Sequence, residues 1–148
     1  MREILFRGKR IDNGVWVEGY YIQAKHYLTE EQLHIIVELY AEAFPRREFT
    51  GCSEVNDKTI GQYTGLKDKN GQRIFEGDLV QAVLPQTTAQ MGFTWPIMPV
   101  VFRDGAFGLQ DQRGGVTPFK SFAPRVTFEV KGNIHDNPEL IQEESKCP

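Results

Sequence analysis

Residues 59–82, reading TIGQYTGLKDKNGQRIFEGDLVQA, leave little room for anything but antiparallel β-structure. The apolar positions Ile60, Tyr63, Leu66, Ile74, Phe75, Leu79, Val80 and Ala82 come in short runs of strand length, separated by Gly, Asn and Asp. That is the pattern of hairpins. The strongest break is Asp68, Lys69, Asn70 and Gly71, because Asn and Gly tolerate the positive φ that a tight reversal demands. The second break, Glu76, Gly77 and Asp78, launches a strand over residues 79–84. Its Gly can take a conformation closed to other residues, and its Asp can bond the backbone ahead. A calcium loop beginning at Asp68 would need Gly at its sixth place and a bidentate Glu at its twelfth. Arg73 and Leu79 stand there, so the turn reading is preferred.

The same punctuation recurs along the chain. Asp12, Asn13 and Gly14 reverse the strand that begins at Ile4, Leu5 and Phe6, and residues 15–22 form its return strand. On that return strand Trp16, Glu18, Tyr20 and Ile22 point one way and Val15, Val17, Gly19 and Tyr21 the other, so both faces carry large side chains. The pattern calls for cover on both faces, one from the domain and one from core packing or a neighbouring subunit. Asp104 and Gly105 mark a third hairpin, and Val126, Phe128 and Val130 alternate as a half-buried closing strand. Pro138 suits the first position of a short helical turn over residues 139–143. Residues 144–148 are expected to fray.

Residues 30–43 support two readings. Thr29 and Gln32 make a capping box, Leu28 and Leu33 sit at staple positions, and Leu33, Ile36, Val37, Tyr40, Ala41 and Phe44 follow helical spacing. We expect a helix here, ending before Pro45, although Ile35, Ile36 and Val37 are a β-branched run that favours a strand. On a helix, His34 would lie one turn from Glu30 and Glu38; solvated polarity is preferred over a metal face, since no further ligands converge. A strand over residues 49–55 then leads into the central stretch.

Residues 85–99, PQTTAQMGFTWPIMP, form a long connection between prolines that holds Met91, Phe93, Trp95, Ile97 and Met98. Long loops without structure of their own tend to be functional or interfacial. Met and aromatic residues are what interface cores favour, so these five are the candidate interface residues, set against folding back over the core. The candidate ligand contacts are Trp16, Tyr20 and Tyr21, which could stack a base, with Arg7 or Arg10 to meet a phosphate. The same side chains would equally serve as core. Gly114 and Gly115 beside Arg113 lack the helix start of a phosphate-binding fingerprint, and the adjacent His135 and Asp136 would point apart.

The net charge of -3 argues against a sequence-independent grip on nucleic acid, although Arg2, Arg7, Lys9 and Arg10 leave the first residues locally basic. Cys52 and Cys147 lack the paired spacing of a zinc or redox motif and read as reduced thiols. Charges throughout MREILFRGKR do not fit a secretory signal, and no apolar run has membrane-spanning length. Three serines, three histidines and two isolated cysteines suggest no catalytic set, so an enzyme is the least favoured class and no cofactor is expected.

The string IGQYTGLKDKNGQRIFEGDLV, the opening MREILFRGKRIDNGVWVEGY and the late segment EVKGNIHDNPELI together resemble the YopX family of phage and prophage proteins. The resemblance covers both ends and the middle of the chain. It implies one YopX-like domain over residues 1–148, with an N-terminal β subregion to about residue 58 and a barrel-like subregion over residues 59–137. It favours extended structure at residues 30–43. The expected fold is mainly β: a small SH3-like barrel or sandwich built from hairpins, with an N-terminal hairpin, the helix over residues 30–43 and a short C-terminal helical turn. The expected role is that of a viral accessory protein in the cytoplasm of a bacterial host, assembling into a closed homo-oligomer and meeting a host or phage protein. Sequestering a nucleotide-like ligand is the alternative, with a nucleic-acid-binding barrel behind it.

Overall fold

The computed structural model describes residues 2–38, 51–85 and 95–144, with side chains up to residue 141. Eleven strands are described: β1 (Phe6–Lys9), β2 (Trp16–Lys25), β3 (Gln32–Glu38), β4 (Gly51–Glu54), β5 (Gly61–Lys67), β6 (Arg73–Phe75), β7 (Asp78–Val83), β8 (Ile97–Arg103), β9 (Ala106–Gln110), β10 (Val116–Pro118) and β11 (Thr127–Asn133). An α-helix, α1 (Glu139–Glu144), follows. The strands are hydrogen-bonded in the orders β4-β3-β2-β1-β5-β6 and β10-β9-β8-β7-β11. The chain divides into two compact units, Met1–Tyr63 and Thr64–Pro148, and β5 runs through the boundary.

The first unit is built on the expected β1–β2 hairpin, paired from Phe6↔Gly19 to Lys9↔Trp16. Gly14 takes the positive φ of 70° that the reversal requires. The helix expected at residues 30–43 is absent over its described part. Residues 32–38 are strand β3, antiparallel to β2 from Tyr20↔Val37 to Lys25↔Gln32, and residues 39–43 lie outside the described residues. The capping-box residue Thr29 sits in the hairpin connection, where its hydroxyl accepts from the Glu31 amide at 3.4 Å. Ser and Thr bond backbone in turns as readily as at helix starts. Ile36 is fully buried against Val17 and Val55, with Ile60 beside them, so the β-branched run packs on a sheet rather than on a helical face.

In the second unit the five-stranded sheet is open, with β10 and β11 at its ends, and does not close into a barrel among the described residues. The expectation of a mainly β fold holds, and the expected SH3-like barrel or sandwich is corrected to an open sheet. The end strands β10 and β11 share no ladder among the described residues, and the ladder between β7 and β11 shifts register between Val130 and Gly132. The core is Ile74, Val80, Met98, Val100, Leu109 and Phe119. Asp104 and Gly105 both have positive φ, 53° and 78°, the signature of a type I′ reversal between β8 and β9.

Candidate interaction surface

Paired residues on neighbouring strands share a face, so the registers sort the first unit's side chains without ambiguity. Val17, Tyr21, His34 and Ile36 lie on the core face. Tyr20, Ile22 and Ala24 lie on the other, opposite Val37, Ile35 and Leu33. Three apolar cross-strand pairs therefore share this second face; Tyr20 and Ile22 are each 48% exposed, Ala24, Leu33 and Ile35 are half-buried, and Val37 is buried at 8%. Cys52 on β4 lies on the same face, paired with Val37. A sheet with apolar side chains on both faces has one face too many for its own core.

The ribbon also outruns its neighbours. β1 accompanies β2 only from Trp16 to Gly19, and β4 accompanies β3 only from Ile35 to Glu38. Residues 23–25 and 32–33, with the connection between them, form a two-stranded arm among the described residues. The connection is closed by the His26 amide donating to the Glu31 carbonyl at 2.8 Å and the Glu30 amide to the His26 carbonyl at 2.9 Å. The His26 Nδ1 accepts from the Leu28 and Thr29 amides, each at 3.3 Å. The turn ends with Glu30 at φ 58°. This frame holds Tyr27, 86% exposed, and Leu28, 73% exposed, at the tip, with Glu30 and Glu31 exposed beside them.

The second unit holds an apolar cleft of about 420 Å³, lined by Phe107, Phe119, Phe122 and Phe128 with Pro118 and Pro124. Its rings interlock edge to face: Phe128 meets Phe119 at 4.9 Å and Phe122 at 5.3 Å. Lys120, exposed, is the one charged residue in the lining among the described residues, and exposed Arg125 stands between the lining residues Pro124 and Val126.

The structure distributes the sequence candidates unevenly. Trp95 packs against the cleft residue Phe122 at 5.9 Å and against the core, to which Met98, 7% exposed, belongs. Ile97 is half-buried and lines a second cavity, of about 360 Å³, beside α1; Met91 and Phe93 lie outside the described residues. Among the proposed ligand contacts, Arg7, Trp16 and Tyr20 share the second face, with the Arg7 guanidinium carbon 4.7 Å and the Lys9 Nζ 5.4 Å from the Trp16 ring centre. Tyr21 lies on the opposite face, its hydroxyl 2.6 Å from the His34 Nδ1. Arg10 is held by Asp12 through two hydrogen bonds, of 3.0 and 2.7 Å. That pairing keeps the Asp12 carboxyl below the ordinary value for an aspartate. These side chains do not converge on one site. The arm and the cleft were not singled out from the sequence, because one depends on strand lengths and the other on side chains distant in the chain.

The polar motifs serve the frame. The Asp111 Oδ1 accepts from the Arg113 and Gly115 amides, each at 2.9 Å, so the glycine-rich loop already surrounds a carboxylate of its own chain. The Asn133 Oδ1 accepts from the His135 and Asp136 amides at 3.0 and 2.9 Å, fixing the turn before α1. No group of three or more His, Cys, Asp or Glu side chains suited to a metal occurs among the described residues. No helix among them is long and apolar enough to cross a membrane.

Comparison with known proteins agrees with this architecture. The family described as YopX protein matches residues 5–142. The crystal structure of protein EF1440 from Enterococcus faecalis is similar over 95% of this chain and 99% of that one, with a TM-score of 0.56 and 24% identity, which bears on the fold. No curated protein matches the chain.

Proposed function

The chain belongs to the YopX family, and from that premise we propose that it is a non-enzymatic interaction module, an accessory protein of a phage or prophage that self-associates in the cytoplasm of its bacterial host. One observation carries the reading: Tyr20 and Ile22 stand about half exposed on the second face of β2, next to the half-buried Ala24, Leu33 and Ile35. Aromatic and aliphatic side chains arrayed on a rigid sheet lose little entropy when covered, and contiguous exposed apolar surface marks contact sites. Self-association covers these side chains without a second gene product, and a closed point group leaves no face repeating without limit. Binding to a host or phage protein would then be a property of the assembled form.

Native mass spectrometry and sedimentation velocity on the full chain test the proposal. A single discrete oligomer, weakened by Ile22→Glu with the far-ultraviolet spectrum unchanged, is the expected result. A monomer at every concentration up to the highest accessible overturns it.

A further inference from the structure

Resting on that reading, we infer that the tip of the β2–β3 arm of one copy seats in the phenylalanine cleft of the second unit of another copy. The two surfaces match in kind. Tyr27 and Leu28 are the most exposed large apolar side chains among the described residues, at 86% and 73%, and they are presented by a turn whose amides are tied to His26. The cleft, of about 420 Å³, offers aromatic and proline walls of the sort that desolvate such anchors.

They also match in charge. The tip carries Glu30 and Glu31 beyond Lys25, all exposed, and is net acidic; the lip of the cleft carries Lys120 and Arg125. An apolar plug flanked by acids meets an apolar socket flanked by bases, which fixes orientation as well as favouring contact. Because plug and socket are different surfaces, the contact is heterologous. Each copy offers one of each, so assembly proceeds head to tail until a rotation closes it. A small apolar ligand or a foreign peptide in the cleft would compete with this contact.

Complementary variants of the full chain give the test. Tyr27→Asp with Leu28→Asp spoils the plug and leaves the socket intact. Lys120→Glu with Arg125→Glu spoils the socket and leaves the plug. All four positions are exposed, so folding should survive, and far-ultraviolet spectra verify it. Each variant alone should self-associate about 30-fold or more weakly, the loss one strong interface anchor produces.

Mixed together, the two variants retain one good plug and one good socket between them, and should form a one-to-one pair that grows no further. Glu30→Lys with Glu31→Lys, combined with Lys120→Glu and Arg125→Glu, should restore assembly. Wild-type assembly that survives the plug variant unchanged overturns this contact while leaving self-association standing; so does failure of the mixed variants to pair. A small molecule retained in the wild type and lost in the socket variant makes the cleft a ligand site and likewise overturns the contact. A wild type that is monomeric throughout removes the underlying reading itself.

Discussion

Asp68 shows how one side chain fixes a turn and a distant strand together. It is buried, its Oδ1 accepts from the Asn70 and Gln72 amides at 2.9 Å each, and its Oδ2 accepts from the Val130 amide at 3.2 Å. Removing the carboxylate leaves three amides short of an acceptor, so Asp68→Ala should cost about 2–3 kcal/mol. The urea midpoint should fall accordingly, and an unchanged midpoint would refute the assignment. Gly132 is constrained by space: an added Cβ would lie 2.4 Å from the Asn137 Oδ1, an atom that accepts from the Asn133 amide. Gly132→Ala is expected to cost about 1–3 kcal/mol through overpacking at the bulge in β11, read as a lowered melting midpoint. Glu129 lies between Lys69 at 3.0 Å and Lys131 at 3.2 Å, and their hydrogen bonds hold its carboxyl below its ordinary value of 4.5. Its stabilising contribution is therefore present above that ordinary value and is lost as pH falls through the lower folded value. Glu129→Gln should make stability less pH-dependent across that acid window, and an identical pH profile would show that the two lysines are ornamental. The turns built on these residues were legible in the sequence because their chemistry is local: Asp, Asn and Gly at fixed offsets leave few backbone options. The reach from Asp68 to Val130 was not legible, since nothing near either residue announces the other.

At the scale of elements, the β2–β3 ribbon is where local signals misled. Thr29 and Gln32 satisfy a capping box, yet what decided the outcome was the cross-strand packing of Ile36 beside Tyr21, Val17 and Val55. Tertiary burial overrode helical spacing, as it commonly does where β-branched residues cluster. The two-faced character of β2 was readable from strict alternation, whereas the length by which the arm outruns β1 and β4 needed the register. The arm depends on its turn. His26→Ala removes the acceptor for the Leu28 and Thr29 amides, so those two should exchange hydrogen faster while core amides such as that of Ile36 keep their protection. Equal acceleration at Ile36 would mean that the turn supports the whole sheet.

Across the whole molecule, each unit has its own buried cluster, and each holds one of the two tryptophans, Trp16 and Trp95. The strand β5 belongs to both, pairing through Gly61 and Gln62 with β1 and continuing to its hairpin with β6. Because β5 runs through the boundary, we expect the two units to melt together. In Trp95→Phe and Trp16→Phe variants, the remaining indole fluorescence should follow the far-ultraviolet signal through one transition; separate midpoints would show two independent folding units. Cys52 adds a practical consequence. Its thiol is exposed and stands opposite Val37 on the face that carries Tyr20 and Ile22, while Ser53 beside it turns to the buried side. With Cys147→Ser in place, the rate at which a bulky maleimide reacts at position 52 becomes a stopwatch for that face. It should run fast when the sheet is bare and slow when something lies across it, so occupancy can be timed in a crude extract without knowing the occupant.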